Sequence, residues 1–196
     1  AGYNVFLLNY RVAANAHYPN PMEDLARAIC FVKAHAAAFC VNAEKLVICG
    51  SSAGGHLCAY FAARYGEFES LYHGKQYSLR PQAVVLAYPV ISMTEETHEI
   101  TRLRLLGLHP TREEEEDKSV ELIAGKNYPP TFFWHCEGDR TVPISNSIRL
   151  DEKLTELGVR HVFKRYVRGG HGIGLARGTT AAGWFEDASE FLKEVL

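Results

Sequence analysis

The stretch "LVICGSSAGGHLCAY" (46–60) places Ser52 within Gly50-Ser51-Ser52-Ala53-Gly54, between an apolar run and a run of helix formers. A serine hydroxyl is a poor nucleophile at neutral pH unless a base takes its proton and a carboxylate orients that base. A G-x-S-x-G turn taken alone is a weak signal. It gains weight when a strand leads in and a helix leads out, because the sharp turn then holds the hydroxyl above a sheet. Here "KLVIC" leads in and "AGGHLCAYFAARY" leads out. Such an elbow demands unusual backbone angles and close helix–strand approach, so Gly50, Ala53, Gly54 and Gly55 are expected to be small for steric reasons. Ser52 is the expected nucleophile and Ser51 a plain turn residue. The helix start supplies unpaired N–H groups where an oxyanion would develop, and Ala53 N–H is the expected donor.

The base and the acid must return to the same edge of the sheet, because chemistry in open α/β sheets sits at the carboxyl ends of the strands. After one late strand comes "EGDRTVP", with Glu137 and Asp139; after the next comes "RGGHGIG", with His171 among glycines that let its loop bend back. The order Ser52, Asp139, His171 is the one expected of a Ser…acid…His triad on such a sheet. Asp139 stands further past its strand and opens a turn closed by Pro143, which favours it over Glu137. His56, four positions beyond Ser52, reads as packing beside the elbow. His135 lies inside an apolar strand and reads as buried structure, while His17, His73, His98, His109 and His161 lack partners in sequence.

The elements that must position these groups alternate. Strand-like runs occur at 3–12, 45–50, 82–90, 131–138 and 160–167. Helical patterns fall at 20–39, with Leu25, Ile29, Val32 and Ala36 on one face, at 53–66 ended by Gly66, at 146–157 ended by Gly158, and at 181–196. Continuous apolar strands alternating with helices predict an α/β three-layer domain on a mostly parallel sheet. The whole of 1–196 reads as one domain, with 92–128 breaking the alternation as an insertion able to fold over the sheet end. In "TREEEEDKSVELI", Thr111 and Glu114 fit a capping box, and the other acids suit a helix start near 112–124.

Bulk properties exclude several alternatives. The net charge is -2 and the basic residues are scattered, so no field for nucleic acid is present. No apolar run approaches the roughly 20 residues that span a bilayer. The cysteines (30, 40, 49, 58, 136) show no CxxC spacing and read as small buried hydrophobes in a reducing, cytoplasm-like compartment rather than as a metal or disulfide framework.

Four blocks, "NYRVAANAHYPNPMEDLARAICFVK", "CGSSAGGHLCAYFA", "YPPTFFWHCEGDRTVPISNSIRL" and "YVRGGHGIGLA", resemble bacterial carbohydrate acetyl-esterases of the α/β-hydrolase superfamily. These are xylan or hemicellulose esterase-like members, related to the hormone-sensitive-lipase-like esterases. The resemblance implies a three-layer α/β-hydrolase fold, a Ser52–His171–Asp139 triad, and hydrolysis of short acyl esters of small molecules or carbohydrates, often acetyl groups on sugars. It implies no metal or organic cofactor, and a cap formed by 92–128. Members also carry, ahead of the strand matching 3–12, a central strand ending in a His-Gly-Gly-type loop that completes the oxyanion hole, and no such motif occurs here. N-terminal strands are therefore expected to be missing, these residues being the C-terminal two-thirds or so of a longer esterase. Direct pairing of 3–12 with 45–50, or a strand donated by a second chain, would be the other ways to satisfy the exposed edge. A serine peptidase on the same fold, or a non-catalytic binding protein, are the alternative functions.

Overall fold

The protein, as a computed structural model, is described over residues 2–71 and 77–196. Four strands, β1 (Val47–Ser51), β2 (Ala83–Ala87), β3 (Thr131–Cys136) and β4 (His161–Tyr166), form one sheet in the order β1-β2-β3-β4, parallel at every pairing. Every residue of β2 and β3 is buried, which is why both read as unbroken apolar runs. The edge strands β1 and β4 are only partly covered.

Period-2 alternation divides the side chains between two cores. Ile48, Val84, Leu86 and Phe133 face one layer, built from α1 (Asn20–Ala34), α2 (Ala53–Leu71) and α6 (Ser145–Leu157). Ala83, Val85, Phe132, Trp134 and Cys136 face the other, covered by α7 (Trp184–Val195) through Ala188, Phe191 and Leu192. The expected α/β/α layering is thus observed. Gly158 closes α6 in the left-handed region at φ 67, as its stop signal predicts.

Other expectations need correction. Residues 3–12 form no strand; among the described residues β1 pairs with β2 alone. Strand propensity is realised only where a neighbour accepts the backbone bonds. This segment is instead tied down by side chains. Arg11 donates to Asp24 at 2.9 Å and to the Asn20 carbonyl at 2.8 Å, and Phe6 packs on Phe39 at 5.1 Å. Val5 and Leu7 stay 87% and 88% exposed. Direct pairing of 3–12 with β1, one of the possible closures, is therefore not what the chain does.

Helix α1 stops at Ala34, short of the expected 39: His35 leaves helical geometry at φ -109 and ψ 17, and the chain continues through turns to Cys40. Helix α2 runs past Gly66 to Leu71 because Gly66 keeps helical backbone angles and Phe68, 1% exposed, continues the buried stripe. Cys58 and Cys136 are buried as expected; Cys40 and Cys49, on a turn and on the open edge strand, are exposed.

Between β2 and β3 lie three short helices, α3 (Glu99–Leu106), α4 (Arg112–Asp117) and α5 (Val120–Ile123). The Thr111–Glu114 capping box opens α4, with both reciprocal bonds made. Helix forms near 112–124 as expected, in two pieces divided at Ser119. The Ser119 hydroxyl donates back to the Glu115 carbonyl and accepts the Met93 N–H, while Val120 N–H leaves the helix for the Ile91 carbonyl.

Candidate active site

Ser52 sits one residue beyond β1 with φ 55, a left-handed conformation that costs a non-glycine residue of order 1–3 kcal/mol. The turn is fixed from the β2 side. Ser52 N–H donates to the Ala87 carbonyl at 3.1 Å, and the Ser52 carbonyl accepts from His56 and Val90. The expected steric demands are real but unevenly distributed. A Cβ on Gly50 would lie 2.1 Å from the Gly54 carbonyl oxygen, and one on Gly55 would lie 2.7 Å from Pro89 Cβ. A Cβ on Gly54 would meet only the Tyr10 hydroxyl at 3.5 Å, so the second glycine of the motif is not sterically required.

The three predicted groups converge at the carboxyl ends of β1, β3 and β4. His171 Nε2 lies 2.7 Å from Ser52 Oγ, and His171 Nδ1 lies 2.7 Å from Asp139 Oδ2. The loop carrying His171 leaves β4 over Gly169, where a Cβ would fall 2.4 Å from Cys136 Sγ. Thr180 holds the loop base, accepting from Arg168 N–H at 2.9 Å and donating to the Arg168 carbonyl at 2.8 Å. Tyr88, held at φ 38, packs its ring 4.7 Å from that of His171 and edge-on to Trp134.

Asp139 is shaped to remain ionised. Burial alone would raise its pKa, but hydrogen bonds from His135, His171, Thr141 N–H and Val142 N–H reverse that and hold it well below the usual carboxylate range. Glu137, the rival acid, is exposed and faces Arg165 at 3.5 Å. Ala53, the first residue of α2, has no carbonyl four residues back within its helix, so its N–H belongs to the unpaired first turn beside Ser52.

The other histidines separate clearly. His56 is buried, bonds the Lys118 carbonyl at 2.8 Å through Nε2, and is pushed down to about 4 by its burial. It ties α2 to the α4–α5 junction, the packing role expected of it. His135 is fully buried, also as expected, yet its Nε2 reaches Asp139 at 3.2 Å, a contact that no sequence spacing announces. His98, at the start of α3, bonds Thr101 at 2.9 Å, and its pKa is lowered by burial and then by the charge of nearby His171. His161 pairs with Asp151, and His73 lies outside the described residues. Among the described residues no cluster of His, Cys, Asp and Glu could hold a metal ion, and no helix is long and apolar enough to cross a membrane.

Residues 1–154 match the family model described as BD-FAE, a match that includes the serine elbow and Asp139. The chain belongs to the BD-FAE family. It is 34% identical over 189 residues to endo-1,4-beta-xylanase B of Butyrivibrio fibrisolvens, covering 93% of this chain and 29% of that protein. It is 26% identical over 199 residues to the acetylxylan esterase of Xylanibacter ruminicola, covering 99% of this chain and 38% of that protein. The chain therefore spans well under half the length of these curated relatives. Among solved structures, an acetyl ester-xyloside bifunctional hydrolase from Caldicellulosiruptor lactoaceticus superposes with a TM-score of 0.88 at 30% identity, over 95% of this chain and 70% of that one. The fold of this BD-FAE member is that of the α/β-hydrolases, as its resemblance implies.

Proposed function

We propose that the chain is a carboxylic-ester hydrolase that removes short acyl groups, acetyl foremost, from a carbohydrate ester, using Ser52, His171 and Asp139. The observation that carries this reading is the continuous relay from Ser52 Oγ to His171 Nε2 and from His171 Nδ1 to Asp139, each link 2.7 Å, at a serine held in a left-handed elbow. The acetyl and sugar halves are supported by similarity to an acetylxylan esterase and an acetyl ester-xyloside hydrolase.

His171 Nε2 takes the proton as Ser52 Oγ bonds to the ester carbonyl carbon. The carbonyl π pair moves onto its oxygen, which accepts from Ala53 N–H. Collapse of that intermediate expels the alkoxide, which takes the proton back from His171, leaving an acyl-serine. Water then gives a proton to His171 as its oxygen bonds to the acyl carbon; the second intermediate collapses, Ser52 Oγ leaves and takes that proton from His171, and the carboxylic acid departs. Asp139 holds the imidazole tautomer and stabilises the imidazolium throughout. No step calls for a metal or organic cofactor. In the same reading the whole chain is one catalytic domain, and 92–128 is its cap. Leu105 of α3, with Val120 and Tyr128 further along, is buried in the core and Leu106 packs against it, whereas Leu103 and Leu108 are 39% and 78% exposed, so the segment is anchored at some positions and open at others.

A panel of p-nitrophenyl acetate, butyrate and octanoate, acetylated xylan and a peptide anilide tests this. Release of acetate and p-nitrophenol that disappears in Ser52→Ala is the expected result. Cleavage of the anilide alone would point to a peptidase, and no turnover of any of them would point to a binding protein.

A further inference from the structure

His135 occupies the fifth position of β3 and is fully buried, and the relay described above does not use it. Its hydrogen bonds define where its proton is. Nε2 lies 3.0 Å from the Val142 carbonyl, which can only accept, so Nε2 carries the hydrogen. In the neutral ring Nδ1 is then an acceptor, and the Ser147 hydroxyl 2.8 Å away donates to it. That same Nε2–H faces Asp139 Oδ2 at 3.2 Å, the oxygen that also receives His171 Nδ1–H at 2.7 Å. The other carboxylate oxygen, Oδ1, is occupied by Thr141 N–H at 2.9 Å and Val142 N–H at 3.1 Å.

We infer that His135 is a positioning residue for Asp139: its Nε2–H, shared between Val142 and Oδ2, fixes the carboxylate plane so that Oδ2 points at His171. The two amides alone grip one oxygen and leave rotation about that grip open. A second donor on Oδ2 removes this freedom and disfavours protonation of the carboxylate. Helix α6 sets the ring's orientation through Ser147. The other titratable groups around Asp139 are His171, His98 at the start of α3, and the Cys136 thiol on β3. None of these donates to Oδ2 from the β3 side.

The inference rests on the ester-hydrolase reading only for its kinetic test, in which wild type, His135→Leu and His135→Gln are compared on p-nitrophenyl acetate. The leucine variant keeps the bulk and loses the donor. Its kcat should fall by about 10- to 100-fold, the effect of one hydrogen bond to a charged group, with KM within about twofold. The acid limb of its pH profile should move to higher pH, because a carboxylate that loses a donor becomes more basic and the coupled pair protonates sooner. His135→Gln, whose amide can reach the Nε2 position, should recover most of the rate. A folded His135→Leu with wild-type kcat and an unmoved acid limb would overturn the inference, since plain packing would leave both intact. Should that variant fail to fold, nitrogen-15 NMR of wild-type histidines decides: a neutral Nε2–H ring for His135 is expected, and an Nδ1–H ring would refute it. Were the wild type inert on esters, the His171 Nδ1 proton resonance would still report. A shift in His135→Leu sustains the inference, and an unchanged resonance refutes it.

Discussion

Ser52 Oγ and His171 Nε2 are 2.7 Å apart although 119 residues separate them in the chain. No local interaction links them. The two edge strands β1 and β4, held at fixed spacing by β2 and β3, carry each group to the same end of the sheet, and the approach is a property of the whole fold.

The first prediction follows from that closure. If Ser52 is the nucleophile, as proposed, Ser52→Ala should lower kcat on p-nitrophenyl acetate by about 10⁵-fold or more. Asp139→Asn keeps the shape but lets the histidine take the wrong tautomer, and about a 10⁴-fold loss is expected. Circular dichroism should show both variants folded. If Asp139→Asn retained near-wild-type turnover, the acid would have to be sought elsewhere.

The elbow makes a second, purely steric prediction. Gly50→Ala sets a methyl 2.1 Å from the Gly54 carbonyl oxygen and must displace the turn. A loss of at least about 2 kcal/mol, or roughly 4–8 °C in Tm, is expected together with loss of activity. Gly54→Ala meets only the Tyr10 hydroxyl at 3.5 Å and replaces a helical glycine, so its Tm should hold or rise by up to about 4 °C. Equal damage from both substitutions would contradict the geometry.

The contrast between those glycines shows where sequence reading runs out. The convergence of Ser52, Asp139 and His171 is legible because each follows a strand whose apolar run is unmistakable. The run at 3–12 has the same β-forming composition but remains unpaired, because pairing is decided by a neighbour and not by propensity. Gly66 reads as a stop signal, yet this glycine stays helical rather than turning left-handed, and Phe68 continues the buried stripe of α2. Helix α3 has no amphipathic signature in the sequence, because its leucines do not share one buried face. The His135–Asp139 contact has no periodicity behind it, since a strand residue and a turn residue four positions apart meet only where the chain folds sharply back.

Those leucines yield the third prediction. Leu105 is 5% exposed within the main core, whereas Leu108 is 78% exposed. Leu105→Ala should cost about 2–5 kcal/mol in urea unfolding, as core truncations do. Leu108→Ala should stay within about 0.5 kcal/mol of wild type. If Leu108→Ala changes discrimination between p-nitrophenyl acetate and octanoate without changing stability, the segment 92–128 takes part in selecting the acyl chain.

The fourth prediction concerns stability in mild acid. Burial pushes His56 from 6.5 to about 4 in the folded protein, while in the unfolded chain it titrates near its ordinary value. Between those two values the unfolded chain binds a proton that the folded protein refuses. The unfolded state therefore holds more protons, and stability must rise with pH across this window. Read downward, stability from this residue is complete above about pH 6.5 and falls as the pH drops toward 4, by roughly 3 kcal/mol in all. Below that the folded protein also accepts the proton and the loss levels off. Asp139 acts with the same sign but lower, because its depressed pKa contributes stability that is present above the ordinary carboxylate value of 3.8 and disappears beneath it. The two effects can thus be separated on one Tm-against-pH curve. His56→Gln, which preserves a donor for the Lys118 carbonyl but does not titrate, should flatten the curve between pH 4 and 6.5 and leave the steeper fall below pH 4 in place. A variant whose Tm declines in parallel with wild type through pH 4–6.5 would show that some other group refuses the proton there.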